Sequence, residues 1–154
     1  MTDLSTQTKG IIISDRWEII TINGDEVVKD HQTGLMWERG NSMGILWTQT
    51  ESYIANLRTG GFSDWRMPTV DELITLFVGR PEGTKTPPFY KGSGEDGFYW
   101  EKGVWKRKGE IFRSLWSSTE VSGNPFFEWC VNFGTGRVYW RNRVGSKPGL
   151  KCVR

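Results

Sequence analysis

Histidine and cysteine are nearly missing from this 154-residue chain, which has one His (His31) and two Cys (Cys130 and Cys152). With a single histidine, no Ser/His/Asp set stands out for nucleophilic catalysis. Two cysteines and one histidine are too few for a structural zinc site without carboxylates. Two cysteines also cannot build a disulfide framework. They pair with each other if exported, or stay thiols in a reducing compartment. Net charge is scarce as well: +2 is too small to imply a nucleic-acid partner. No apolar stretch is long enough to span a membrane. The start, Met1-Thr2-Asp3-Leu4, lacks a charged segment followed by an apolar one, so no secretory signal is expected. The expected location is cytoplasmic, or on a virion or cell surface reached by a non-classical route.

What is present is aromatic and turn-rich. Nine tryptophans and nineteen glycines point to short strands, many tight turns and a core of large aromatics. A 36% hydrophobic and 25% charged composition is ordinary for a globular chain. The length suits one domain with one core. We expect an N-terminal arm over residues 1–15 and a single domain over 16–154. Most of the aromatics are expected in the core.

The local patterns place the elements. Residues up to about 14 read as a loose arm or an edge strand. Asn23-Gly24 between Trp17–Ile22 and Asp25–Asp30 is a hairpin turn, since both residues accept positive φ. His31–Gly34 is a second turn, followed by a short strand at Leu35–Glu38. Thr48-Gln49-Thr50-Glu51 reads as a capping box, and Gly60-Gly61 as the stop of that helix. Thr69-Val70-Asp71-Glu72 is a second capping box; Val70, Leu73, Ile74 and Phe77 follow at helical spacing up to Gly79. Residues 80–113, with Pro87-Pro88 and Gly92-Ser93-Gly94, read as an extended surface insert. Within it, residues 98–106 look like a hairpin turning at Lys102-Gly103. The remainder reads as strands at 115–119, 127–133, 137–140 and 150–153.

Several motifs together resemble a known family. Asp30-His31-Gln32-Thr33-Gly34-Leu35-Met36-Trp37 resembles its D-x-x-T-G-L-M-W signature. Gly61-Phe62-Ser63-Asp64-Trp65-Arg66-Met67-Pro68-Thr69, running to Leu73, resembles its D-W-R-L-P-T core. Trp116–Thr119 resembles its W-S-S-T. Trp129–Phe133 with Gly136, and the ending Lys151-Cys152-Val153-Arg154, resemble its W-x-V-x-F, G and R-C-V-R. Five collinear motifs over roughly residues 16–154 make a specific match to the Lcl C-terminal domain family. The resemblance implies an α+β, C-type lectin-like fold with two helices flanking a small twisted antiparallel sheet and adjacent terminal strands. Family members often carry a cysteine in the first helix, where this chain has Ile54, so the resemblance implies that Cys152 lacks its usual partner. A Cys130–Cys152 bond stays open.

The motif residues read as scaffold. Trp65 and Met67 are expected to anchor the link between the helices, Arg66 to bind backbone carbonyls or Asp64, and Trp116 and Trp129 to sit in the core. The basic run Arg137, Arg141, Arg143, Lys147, Lys151 and Arg154 ordinarily means a solvated face, with an anionic ligand as the weaker reading. Function is expected between the motifs. In the strand at 127–133, alternation sets Phe127, Trp129, Val131 and Phe133 on one face against Glu128, Cys130 and Asn132. One of Tyr139 and Trp140 points inward, leaving the other exposed beside Arg141 or Arg143. Aromatics interleaved with arginines on a turn-flanked strand are typical of binding hot spots.

The segment from Trp116 to Arg154 also resembles the variable region of proteins diversified by retroelements. That likeness implies variable positions at Asn124, Phe126, Phe127, Glu128, Cys130, Asn132, Arg137, Tyr139, Trp140, Arg141, Asn142 and Arg143. The expected activity is non-catalytic binding of a protein or glycan on a cell surface, with no cofactor, no metal and no nucleic acid. Calcium is not assigned, because the E-P-N or W-N-D sets of C-type lectins are lacking and Asn132 is too weak a signal. The alternatives are an enzyme resembling the formylglycine-generating group, resting on Cys130 and Cys152, and an oligomerisation tip of a surface fibre.

Overall fold

The computed structural model describes residues 7–12, 15–40, 42, 44–76, 98–101, 104–107, 114–132 and 137–154. β1 (Thr8–Ile12), β2 (Trp17–Ile22), β3 (Asp25–Asp30) and β4 (Met36–Glu38) form an antiparallel sheet in sequence order. β1 is its edge strand and is exposed throughout. The β2–β3 turn is the expected one, with Asn23 at φ 49° and Gly24 at φ 88°. The turn after β3 is organised by Asp30. Its carboxylate receives two bonds from Arg16 (2.8 Å each), one from the Thr33 hydroxyl (2.8 Å) and one from the Gln32 N–H (3.0 Å). Burial opposes the charged form, but these donors hold the Asp30 pKa below its usual value.

Helix α1 (Trp47–Asn56) does not start where the Thr48 pattern predicts. Leu46 is its N-cap, and the Leu46 N–H bonds to Gln49 Oε1 (2.8 Å). Trp47 decides this start, because its ring packs edge-on against Trp116 at 5.3 Å and draws the first turn onto the core. The helix also ends before the glycines: Leu57 is already extended, and Gly60 and Gly61 take φ 67° and 83° in the following 3-10 turn. Helix α2 (Val70–Ile74) starts as expected. Thr69 Oγ1 accepts the Glu72 N–H (3.1 Å) and Glu72 Oε1 accepts the Thr69 N–H (2.9 Å). Phe77 and Gly79 lie outside the described residues, as does most of the insert at 80–113. Of the insert, β5 (Phe98–Glu101) and β6 (Val104–Arg107) pair antiparallel, and their expected turn at Lys102-Gly103 is not among the described residues.

The third sheet orders β7 (Ser114–Glu120), β8 (Phe127–Asn132) and β9 (Val138–Asn142) antiparallel, with a bulge in β7 between Trp116 and Glu120. The mixed α+β class therefore holds, but the strands divide among three antiparallel sheets rather than one small one. The C-terminal segment joins two of them. It is extended and makes isolated bridges, Trp37 with Val153, Arg66 with Val153, and Leu115 with Gly149, rather than a continuous strand. Backbone hydrogen bonds continue between these bridges: Met36 and Arg154 exchange a pair, the Glu38 N–H bonds the Cys152 carbonyl, and the Trp116 N–H bonds the Gly149 carbonyl.

Two buried clusters follow. One joins Trp17, Val28, Trp37, Leu73, Leu76, Leu115, Val131 and Val153; the other joins Ile22, Val27, Trp65, Trp116, Cys130, Leu150 and Cys152. The three-stranded sheet contributes to both, with Leu115 and Val131 on one side and Trp116 and Cys130 on the other. The motifs are the joints between these parts. The Ser118 N–H bonds the Pro68 carbonyl (2.9 Å), Thr119 Oγ1 accepts the Val70 N–H (3.0 Å), and Trp65 Nε1 donates to the Thr59 carbonyl (3.0 Å). Arg66 pairs with neither Asp64 nor carbonyls through its side chain. It forks onto Glu72 (2.7 and 2.6 Å), while Asp64 is taken by Arg154 (2.6 and 3.0 Å). The reason is reach, because the capping glutamate is already fixed beside Arg66 by the Thr69 N–H.

Candidate functional site

The expected site residues gather on the β8–β9 hairpin and the turns flanking it. The register sets Phe127 opposite Asn142, Glu128 opposite Arg141, Trp129 opposite Trp140, Cys130 opposite Tyr139 and Val131 opposite Val138. β9 is the edge strand of its sheet, so its side chains meet fewer neighbours than those of β8.

One face of the hairpin is an aromatic ladder. Trp140 stacks on Trp129 at 5.7 Å with an interplanar angle of 24°, and Phe127 approaches Trp140 at 5.7 Å and 37°. Cross-strand aromatic pairs of this kind stabilise a sheet. They also hold Trp140 in one orientation while it remains 54% exposed. Trp129, expected in the core, is half-buried and completes the ladder. Phe126 before β8 (66% exposed), Val138 in β9 and Val144 after it (78%) are also exposed apolar side chains.

The opposite face turns toward α1. Tyr139 packs against the second buried cluster, with the Arg141 guanidinium 5.1 Å from its ring centre. Alternation thus resolves as expected, with Tyr139 inward and Trp140 outward. Glu128 and Cys130 correct the sequence reading. They were expected on the binding surface, but their face of β8 is the one that packs inward, with Cys130 in the second buried cluster, and both residues are fully buried. Asn132 is half-buried, and its N–H bonds the Arg137 carbonyl (2.9 Å). Arg137, Arg141 and Asn142 are exposed. Asn142 Oδ1 accepts the Val144 N–H (2.6 Å), and Asn124 Oδ1 accepts the Phe126 N–H (3.1 Å), so both asparagines shape turns.

Arg143 is half-buried and ion-paired with Glu128, with its guanidinium 4.8 Å from the Trp47 ring centre. Burial pushes the Glu128 pKa up, Arg143 opposes that shift, and the nearby Glu120 charge adds to it. Beside this pair opens a pocket of about 410 Å³ lined by Glu120, Val121, Gly123, Asn124, Pro125 and Arg143. Composition and alternation did not point to it, since its walls come from two separate turns.

The two cysteines are free and buried. Burial pushes the Cys130 thiol up to about 12 and also raises Cys152, where the Glu38 charge adds to the effect. Both therefore stay protonated near neutral pH. Native protein is expected to leave both thiols unreacted with Ellman's reagent at pH 8 and to release both on unfolding in guanidinium. Rapid labelling of the native protein would contradict the burial. Among the described residues, no group of three or more His, Cys, Asp or Glu side chains could hold a metal ion, and no helix is long and apolar enough to cross a membrane.

Residues 26–154 match the family model of the Lcl C-terminal domain. No curated protein matches the chain.

Proposed function

Because the chain belongs to the Lcl C-terminal domain family, we propose that it is a non-catalytic ligand-binding domain of receptor or adhesion type on a C-type lectin-like scaffold. The residues offered to a protein or glycan on a cell surface are Trp140 and Asn142 on the outward face of β9, together with the exposed Arg141 between them and Phe126 in the turn before β8. The observation that carries this reading is Trp140, a large aromatic held by Trp129 and Phe127 yet more than half exposed. Rigid aromatics of this type lose little conformational entropy on binding and commonly dominate interface energies.

The same arrangement suits retroelement diversification. The frame residues Trp116, Ser117, Val131 and Val153 are buried, whereas Asn124, Phe126, Arg137, Trp140, Arg141 and Asn142 can change without disturbing the core. Glu128 and Cys130 fit that scheme poorly, being core positions. The enzyme alternative lacks an accessible thiol among Cys130 and Cys152. The oligomerisation alternative has one feature in its favour, the exposed Ile11 and Ile12 on the edge strand β1.

The test is binding of labelled protein to intact bacterial cells and to a printed glycan panel. Trp140→Ala is expected to weaken binding about thirtyfold, the effect of losing a hot spot of about 2 kcal/mol. Ile11→Ser, on the distant β1, is expected to bind as the parent does. Equal binding by Trp140→Ala would sink the reading. For diversification, the flanking DNA should hold a reverse transcriptase gene and a near-copy of codons 116–154 differing only at adenines; its absence would leave an undiversified binding domain.

A further inference from the structure

The basic run near the C-terminus suggests an anionic ligand, but the pocket beside Arg143 has the opposite balance. Glu120 stands directly opposite Glu128 in the β7–β8 register, and Glu120 is a pocket wall. Like charges placed opposite one another across a sheet repel. Arg143, another wall, gives its guanidinium to Glu128 through Nη2 and Oε1. The second oxygen, Glu128 Oε2, is buried and has no hydrogen-bond partner among the described residues. Arg143 Nε is likewise buried without a partner among the described residues, so the pair leaves one acceptor and one donor unmet. At and beside the pocket, the carboxylates of Glu120 and Glu128 stand against the single guanidinium of Arg143. An incoming anion would meet Glu120 at the rim and an Arg143 already neutralised by Glu128.

We infer that this pocket receives the cationic head of a basic side chain, lysine or arginine, from a protein partner. The apolar part of such a side chain has Val121 and Pro125 to pack on, and the head lies between Glu120 and the Glu128–Arg143 pair. Long basic side chains combine an apolar stem with a charged tip in this way. The pocket adjoins the proposed surface, because the Arg143 N–H bonds the Phe126 carbonyl (2.8 Å) and Asn124 holds the Phe126 N–H. The inference rests on the binding reading above and narrows it from a protein or glycan to a protein with an exposed basic residue.

The experiment is an amide chemical-shift titration of the full chain with N-acetyl-arginine amide and N-acetyl-lysine amide, with N-acetyl-aspartate amide as the acidic counterpart. A basic probe is expected to give saturable shifts at Val121, Gly123 and Asn124 with millimolar affinity, the range of a single small contact. The acidic probe is expected to give none. Glu120→Gln, at an exposed position, is expected to weaken the basic probe about tenfold without unfolding the chain. Glu128→Gln is a secondary variant, since it disturbs a buried pair. Shifts with the acidic probe, or basic-probe shifts unchanged in Glu120→Gln, would overturn the inference. Trp140→Ala separates the two proposals: it is expected to weaken cell binding about thirtyfold and leave the probe titration intact.

Discussion

Trp116→Ala is expected to lower unfolding free energy by about 3–5 kcal/mol, the range for deleting a large buried aromatic. For a chain of this size that corresponds to a fall in Tm of about 6–20 °C. Trp116 is fully buried, and three independent features depend on it. Its ring meets Trp47 edge-on and so anchors the start of α1. Its Nε1 donates to the Ile45 carbonyl (2.9 Å), which fixes the chain entering that helix. Its backbone N–H bonds the Gly149 carbonyl (2.9 Å), beside the bridge that ties the C-terminal segment to β7. The substitution removes the first two and keeps the third, so it leaves a cavity in the second cluster without cutting the sheet. Trp116→Phe is the control. It keeps most of the packing and loses the indole N–H, leaving the Ile45 carbonyl without that donor, at about 1–3 kcal/mol. Urea unfolding of both variants checks the ordering; a loss below 1 kcal/mol for the alanine variant would show that the site collapses around the missing ring.

Lys151→Met is expected to cost a comparable amount, about 3–5 kcal/mol, as for a broken buried charge network. Sequence position put Lys151 in a basic, solvated run, but its side chain is fully buried. Its Nζ donates to the carbonyls of Glu38 (3.2 Å), Arg39 (3.1 Å) and Gly40. Nearby, the Glu38 carboxylate accepts the Cys152 N–H (2.7 Å) and the Tyr53 hydroxyl (3.0 Å). Methionine keeps the stem and volume while leaving three carbonyls without their donor and Glu38 without a nearby cation. Burial raises the Glu38 pKa, and the Lys151 charge is among the effects that hold it down. A carboxyl whose pKa is raised in the folded state contributes stability at low pH, lost as pH rises through its folded value. Removing Lys151 raises that value further. The destabilisation of Lys151→Met should therefore be smaller near pH 4.5 than near pH 8, a difference that urea titrations at the two pH values would reveal. An equal loss at both pH values would mean that Glu38 does not sense Lys151.

How far the sequence was legible depended on the range of the interaction. Asn23-Gly24 and the Thr69/Glu72 box were readable because every partner lies within a few residues and positive φ or a short reciprocal bond suffices. Thr48 misled for the complementary reason. Its local pattern was sound, but the contact of Trp47 with Trp116, remote in sequence, overrode it. Arg66 and Asp64 flank Trp65 and are opposite in charge, yet each found a better-placed partner, Glu72 and Arg154. At the candidate site, alternation split Tyr139 from Trp140 and Glu128 and Cys130 from Trp129, but could not say which face packs inward. The packing of Trp116, Cys130 and Tyr139 into the second buried cluster decides it, burying Glu128 and Cys130 and leaving Trp140 outward.

By itself the sequence determined the family, the α+β class, the tight turns and the α2 cap. These follow from short-range backbone preferences and from motifs whose residues brace one another. Only the tertiary structure decided which side of each strand meets water, that Lys151 caps a loop from inside, and that Glu120 and Arg143 line one pocket beside the buried Glu128. Burial and charge pairing are sums over neighbours from the whole chain, and the order of residues along a strand does not contain them.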